Sequence, residues 1–211
     1  MTTTERIIEQ ATNLFIRSGI KAITMDDISR EAGVSKRTIY ENFKDKDDLL
    51  RTCLDDMDKK FSAERERIIE ASENIIHSVF GMMKHGIQVM QQVNPLFLED
   101  LKRHHLKVWK EVYRVNSEFQ RTQTLKILRK GINQGLIRQG VNVEIVSTLL
   151  MQQLRYMHDK QIFPEEKFPR QLVFENVMIN FFRGIATKKG LEMIDQYLES
   201  ESGFFLTTHD E

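Results

Sequence analysis

Three features of the 211-residue chain predict an all-α fold. Apolar residues recur at three- and four-residue spacing almost throughout, as they do on one face of an α-helix. Only three prolines interrupt the chain, Pro95, Pro164 and Pro169. There is little of the β-branched alternation that marks a half-buried strand. With 40% apolar and 29% charged residues, the composition is that of an ordinary globular protein of one large domain or two small ones.

The elements follow in order. The first helix runs from about Thr3 to Ser18, with Ile7, Ile8, Ala11, Leu14 and Phe15 on one face. Gly19 then stands where a helix end favours positive φ. Thr24 is the next N-cap, with Asp27 completing a capping box and Ile23 and Ile28 forming a hydrophobic staple. This second helix is short and ends at Ala32–Gly33. Ser35 caps a third helix over Lys36–Phe43, stapled by Val34 and Ile39. Asp45 caps a fourth, whose first turn holds Lys46, Asp47 and Asp48.

Longer helices are predicted beyond Leu50: one to about Glu70, one from a Ser72 cap to Gln92, and a short one from Asn94–Pro95 to about Arg103. A long helix then reaches about Ile137, with Gly135 and Gly140 punctuating the turn. Helices near Val143–Gln161 and Phe168–Thr187 flank the loop "FPEEKFP", and a last one covers about Leu191–Glu199. The tail "SESGFFLTTHDE" reads as poorly ordered, with Phe204 and Phe205 available to dock.

Composition excludes several classes. No run of 18 apolar residues occurs, so no membrane-spanning helix is expected. The start "MTTTERIIEQ" has no apolar core of a secretory signal. Cys53 is the single cysteine, which rules out an intrachain disulfide and predicts a reducing, cytoplasmic compartment. The motifs of hydrolases, P-loop and dinucleotide-binding proteins and zinc proteases are absent, and no cofactor is expected. His104 and His105 are adjacent and diverge on a helix, so no metal site is expected either. "KRHHLKVWK", Lys102–Lys110, is a basic cluster read as a solvated face, with an anionic effector as the open alternative.

Charge is locally, not globally, arranged. The 31 basic and 31 acidic residues cancel, and residues 1–54 hold nine of each. Any nucleic-acid affinity must therefore come from placement, not from a bulk field. Within "AGVSKRTIYENFKDKDD", Lys36, Arg37, Lys44 and Lys46 are offset between Val34 and Lys46 only by Glu41 and Asp45. Two short capped helices joined by three residues are the pattern of a helix-turn-helix, whose second helix enters the major groove of DNA by its N-terminal residues. Arg37 carries the planar fork that fits guanine, and Thr38 suits a thymine methyl or a base edge. Ile39 and Phe43 point inward.

"ITMDDISREAGVSKRTIYENFKDKDDLL", residues 23–50, closely resembles the DNA-binding domain of tetracycline-repressor (TetR) family regulators, with Ser29 in place of the usual Ala. The resemblance spans residues 5–50, about a quarter of the chain. It implies a helix-turn-helix domain over 1–50 and a helical effector-binding and dimerisation domain over 51–200, which leaves residues 201–211 as the flexible tail. It also implies a homodimer on a palindromic double-stranded DNA operator, with a small-molecule effector as third partner. Thr24, Tyr40 and Lys46 correspond to phosphate contacts. Ser35, Lys36, Arg37, Thr38 and Asn42 correspond to residues at or near the groove, with Arg37 reading a base or holding a phosphate. Glu41 is expected to face away.

In the larger half, "FPRQLVFENVMINFFRGIA" is apolar nearly all round and needs burial on most sides. Together with the helix before it, it is expected to form a four-helix interface between two subunits, through Leu150, Leu154, Phe174, Met178, Phe181 and Phe182. Phe80, Met83, His85, Met90, Trp109 and Tyr113 are expected to line an effector pocket, methionine being suited to adaptable apolar sites. Overall, the sequence predicts a ligand-responsive homodimeric repressor. The alternatives are an architectural or activating DNA-binding protein without a ligand, or a helical protein-interaction module.

Overall fold

The computed structural model describes residues 1–157, 159 and 161–205, with the helical backbone alone for 113–119. The order is α1 (Thr3–Ser18), α2 (Met25–Ala32), α3 (Lys36–Asn42), α4 (Lys46–Ala71), α5 (Ile75–Gln92), α6 (Pro95–His104), α7 (Leu106–Asn133), α8 (Val143–Tyr156), α9 (Arg170–Ile185) and α10 (Lys188–Ser200). The described residues form an all-α protein with no strand longer than an isolated bridge. Two compact units result, one of residues 1–65 and 89–116, the other of 66–88 and 117–211.

The first unit is organised around one core. Ile7, Ala11 and Phe15 of α1 meet Ile28 and Ala32 of α2, Ile39 of α3, and Leu49, Leu50 and Cys53 of α4. Phe97 and Leu101 of α6 and Val108 of α7 close the same cluster. Polar bonds brace α6 against the end of α1. The Asn94 amide N–H donates to Ile16 O at 2.9 Å, its Nδ2 donates to Arg17 O at 2.9 Å, and the buried Asp100 accepts from the Lys21 amide at 2.7 Å. Lys46 joins them, its ammonium donating to Ile20 O at 2.6 Å and to Ile23 O. Burial lowers the pKa of Lys46, and the carboxylates of Asp100, Asp47 and Asp27 act against that.

Cys53 lies inside this core, its Sγ donating to Ile8 O. Burial is the main cause that pushes its thiol up to about 12. At pH 8 the native thiol is therefore protonated and shielded. Alkylation by iodoacetamide should run roughly two to three orders of magnitude slower on native protein than in guanidinium, because the thiolate is the nucleophile. Comparable rates in the two states, followed by mass spectrometry, would show the site open.

In the second unit, Ile75, Ile76, Val79, Phe80, Met83 and Ile87 of α5 pack with Leu128 of α7, Leu150 of α8, Ile179 and Phe182 of α9, and Ile194 and Leu198 of α10. Several boundaries differ from expectation for visible reasons. The start of α5 is capped by Asn74, whose Oδ1 accepts from the Ile76 and His77 amides, while Ser72 turns its hydroxyl back to Ile68 O. The end of α7 comes at Asn133 because Gly135, at φ 69°, reverses the chain and lets the Leu136 amide bond Gly131 O. Ile137 then bridges to Ala186. Thr187 ends the preceding segment and caps α10, accepting from the Gly190 amide at 3.1 Å. Gly190 is required there, since a Cβ would stand 2.2 Å from Leu136 O.

The segment after α10 docks. Phe205 is buried, with an edge-on contact to Phe80, and Glu201 pairs with Lys84 at 2.6 Å. Burying a phenylalanine side chain is worth about 1.5–3 kcal/mol, which favours docking of this segment. Residues 206–211 lie outside the described residues.

Candidate nucleic-acid interface

The interface is built from two capped helices. Thr24 Oγ1 accepts from the Asp27 amide, and Asp27 Oδ2 accepts from the Thr24 amide at 2.9 Å, which closes the capping box. The Thr24 hydroxyl bond is the main cause holding the Asp27 carboxyl below its ordinary value. Gly33, in the left-handed region at φ 61°, ends α2. In the turn that follows, Ser29 Oγ donates to Val34 O at 2.7 Å while Ser29 O accepts from the Val34 amide. Serine at this position thus supplies a turn bond that alanine lacks.

Ser35 caps α3, its Oγ accepting from the Thr38 amide at 3.0 Å. Ile39 is the buried residue of α3 and Phe43 at its C-cap is buried too, so the helix is pinned along one side. The other side is open: Ser35, Lys36, Arg37, Tyr40, Glu41 and Asn42 are exposed and Thr38 half-exposed. Both cations carry a carboxylate partner, Lys36 on Asp26 at 2.7 Å and Arg37 Nε on Glu41 at 2.8 Å. Glu41 therefore folds onto Arg37 instead of facing away. Such exposed pairs are weak and screened by solvent, so a phosphate can displace the carboxylate.

Two expected contacts are otherwise engaged. The Asn42 side chain accepts from Thr4 Oγ1 at 2.6 Å and donates to Thr38 O at 2.8 Å, tying α3 to α1. The Lys46 ammonium is held by the carbonyls after α1. Their part in tying the domain together is invisible at the level of motif spacing, because their partners are 38 and more than 20 residues away.

The six residues expected to line an effector pocket do not share one unit. Phe80 and Met83 are buried in the core of the second unit, and His85 is half-buried there. Met90 and Trp109 belong to the first unit, where the Lys102 ammonium lies over the Trp109 ring at 5.3 Å. The side chain of Tyr113 lies outside the described residues. A cleft of about 380 Å³ in the second unit is lined by Arg67, Ile68, Ser72, His77, Gly81 and Tyr197 among others. Burial is the main cause that raises the Tyr197 phenol.

The residues expected at a subunit interface differ in burial. Leu150 and Phe182 are buried in their own core, whereas Leu154, Phe174, Met178 and Phe181 are half-buried. The open apolar side of α8 is Ile145, Leu149 and Tyr156, 59%, 53% and 52% exposed. Among the described residues no His, Cys, Asp and Glu cluster fit for a metal occurs, and no helix is long and apolar enough to cross a membrane.

Two capped helices with a polar, cationic second helix are the geometry of a DNA-binding helix-turn-helix, and the class is that of a DNA-binding transcriptional regulator. Residues 7–53 match the family model of the bacterial regulatory proteins of the tetR family. The chain is 24% identical over 182 residues to YvaF, an HTH-type transcriptional regulator of Bacillus subtilis, across 86% of this chain and 94% of that one. It is 20% identical to the HTH-type transcriptional repressor KstR2 of Mycolicibacterium smegmatis, across 67% and 71% of the two chains. The solved structure of the transcriptional regulator FadR from Bacillus subtilis, in complex with stearoyl-CoA, superposes with a TM-score of 0.63 at 20% identity, covering 86% of this chain and 98% of that one. Residues 7–53 thus carry the DNA-binding domain of the tetR family, and over most of its length the chain is similar to HTH-type transcriptional regulators.

Proposed function

We propose that the protein is a homodimeric repressor of the cytoplasm that binds a palindromic operator and is released by a small-molecule effector. The observation that carries the DNA-binding part is α3 itself, pinned by Ile39 and Phe43 and presenting Ser35, Lys36, Arg37 and Thr38 at its open N-terminal turn. Thr24 and Tyr40 flank that turn and reach phosphates on either side of the groove. Asn42 and Lys46 act mainly by holding α3 and α4 in place, for their polar atoms are engaged within the protein. Dimerisation uses the open side of α8, Ile145, Leu149 and Tyr156, with the half-buried Leu154, Phe174, Met178 and Phe181 around it.

The effector part is supported by likeness: FadR of Bacillus subtilis was solved with stearoyl-CoA, and KstR2 is a repressor. An effector releases the operator only by binding the non-operator arrangement of the dimer more tightly.

The test is selection of bound sequences from random duplex DNA, followed by the salt dependence of affinity for the selected site. An inverted repeat bound with a steep salt slope is the expected result. Enrichment of no sequence by an intact dimer would replace this reading with that of a protein-interaction module.

A further inference from the structure

We propose that the junction of α6 and α7 is a second DNA-contact surface, which grips the phosphate backbone of the duplex beside the half-site occupied by α3. The inference rests on the DNA-binding reading above and extends it to residues outside the helix-turn-helix.

The junction is strongly basic. Lys102, Arg103, Lys107 and Lys110 fall within nine residues that contain no acid, and all four are exposed, as is His104. Nearby carboxylates are mostly taken up elsewhere. Glu99 pairs with Arg103, Asp47 with His105, and Asp48 and Glu111 with Arg51. Lys102 rests over the Trp109 ring, while Lys107, Lys110 and His104 have no partner among the described residues. A local field of about three unneutralised positive charges is left, on a chain whose net charge is zero. Lys107 and Lys110 also sit in the first turns of α7, where the helix dipole disfavours cations and where no acidic residue offsets them.

Placement decides what anion fits. Two contacts register α7 against α4: His105 with Asp47 near the start of both helices, and Arg51 Nε with Glu111 Oε2 at 2.9 Å further along each, four residues on in α4 and six on in α7. The pairs advance in the same direction on both helices, so α4 and α7 run parallel here and begin side by side. The start of α4 follows the last residue of α3 after three residues, and the turn between them is fixed by the Lys44 amide on Asp48 and the Asp48 amide on Asp45. The junction cations are therefore level with the first turn of α4, next to the end of the groove-binding helix. Lys107, one turn before Glu111 on the same face, lies at the open end of this pair of helices. A duplex engaged by α3 continues past that point as a row of phosphates, the anion whose spacing and charge suit several separate cations.

The experiment compares wild-type protein with a K107Q/K110Q variant on two duplexes, the selected operator alone and the same operator extended by about ten base pairs on each side, one helical turn. Affinity is measured from low to high KCl. On the extended duplex the variant should lose affinity, and its slope of log affinity against log salt should fall by about 0.9 for each phosphate contact removed, roughly two per subunit. On the trimmed operator the two proteins should agree. Equal slopes and affinities on the extended duplex would overturn the proposal, as would an equal loss on both lengths. A K36Q/R37Q variant serves as the control for the primary interface. Its retention of full binding on both duplexes would instead sink the assignment of α3, independently of the junction. Circular dichroism and gel filtration confirm that each variant is folded.

Discussion

Ile39→Ala should cost the protein about 2–4 kcal/mol of stability in its first unit and its operator binding with it. α3 has only seven residues, well short of the length at which an isolated helix persists in water. It exists because Ile39, fully buried, and Phe43 fasten it to the core made by Ile7, Ala11, Ile28 and Leu49. Truncation to alanine leaves a cavity at the most deeply buried of the contacts that orient the exposed face. Urea unfolding followed by circular dichroism gives the stability, and operator titration at a denaturant-free temperature gives the affinity. Arg37→Ala supplies the contrast. Its side chain is exposed and held only by Glu41, so the unfolding midpoint should stay put while operator affinity drops by about 1–3 kcal/mol. Loss of stability in Ile39→Ala without loss of affinity would mean that α3 does not position the DNA contacts.

The second large effect concerns α8. Replacing Ile145 and Leu149 together by glutamate should convert the protein to a monomer and weaken operator binding by about 100- to 10,000-fold. A dimer gains that factor because its second head binds from an effective concentration set by the first. The two side chains are more than half exposed and one turn apart, so they form a continuous apolar strip in a helix whose opposite side, through Ser147 and Leu150, is already buried. Covering them recovers about 1.5–3 kcal/mol each, and four charges placed across a two-fold axis oppose it. Analytical ultracentrifugation reports the mass. A wild type that sediments as a single chain, or a variant that remains a dimer, would remove α8 from the interface.

Much of the fold was legible from local chemistry. Thr24 with Asp27, Ser35 with Thr38 and Asn94 ahead of Pro95 announced three helix starts, because a cap and its helix lie within four residues of each other. The start of α10 at Lys188 is less legible in the sequence. The apolar run of α9 continues into Ile185 and Ala186, which obscures Thr187 as a cap, although Thr-x-x-Gly is visible once the break is known. Ser72 and Asn74 are both good cap residues two positions apart, and only the direction of each side chain separates them.

The functional surface divides along the same line. That α3 is the polar, cationic element of a helix-turn-helix is a property of consecutive residues, and periodicity placed Ile39 and Phe43 inward without help. That Lys46 and Asn42 are structural ties, that Glu41 covers Arg37, and that Leu150 and Phe182 are spent on their own core are relations between distant segments. An apolar residue on a helix shows by spacing that it shares a face, not whether that face meets its own chain or another.

The amino-acid sequence by itself determined the all-α class, the helix-turn-helix and the side of α3 that is open, since each rests on interactions within one or two turns. Tertiary structure alone decided which cations remain unpaired and which apolar face of α8 remains uncovered. It also decided that the α6–α7 junction stands beside the start of α4. Those outcomes depend on contacts such as Asp47 with His105 and Arg51 with Glu111, whose partners lie about 60 residues apart and meet only when the core closes.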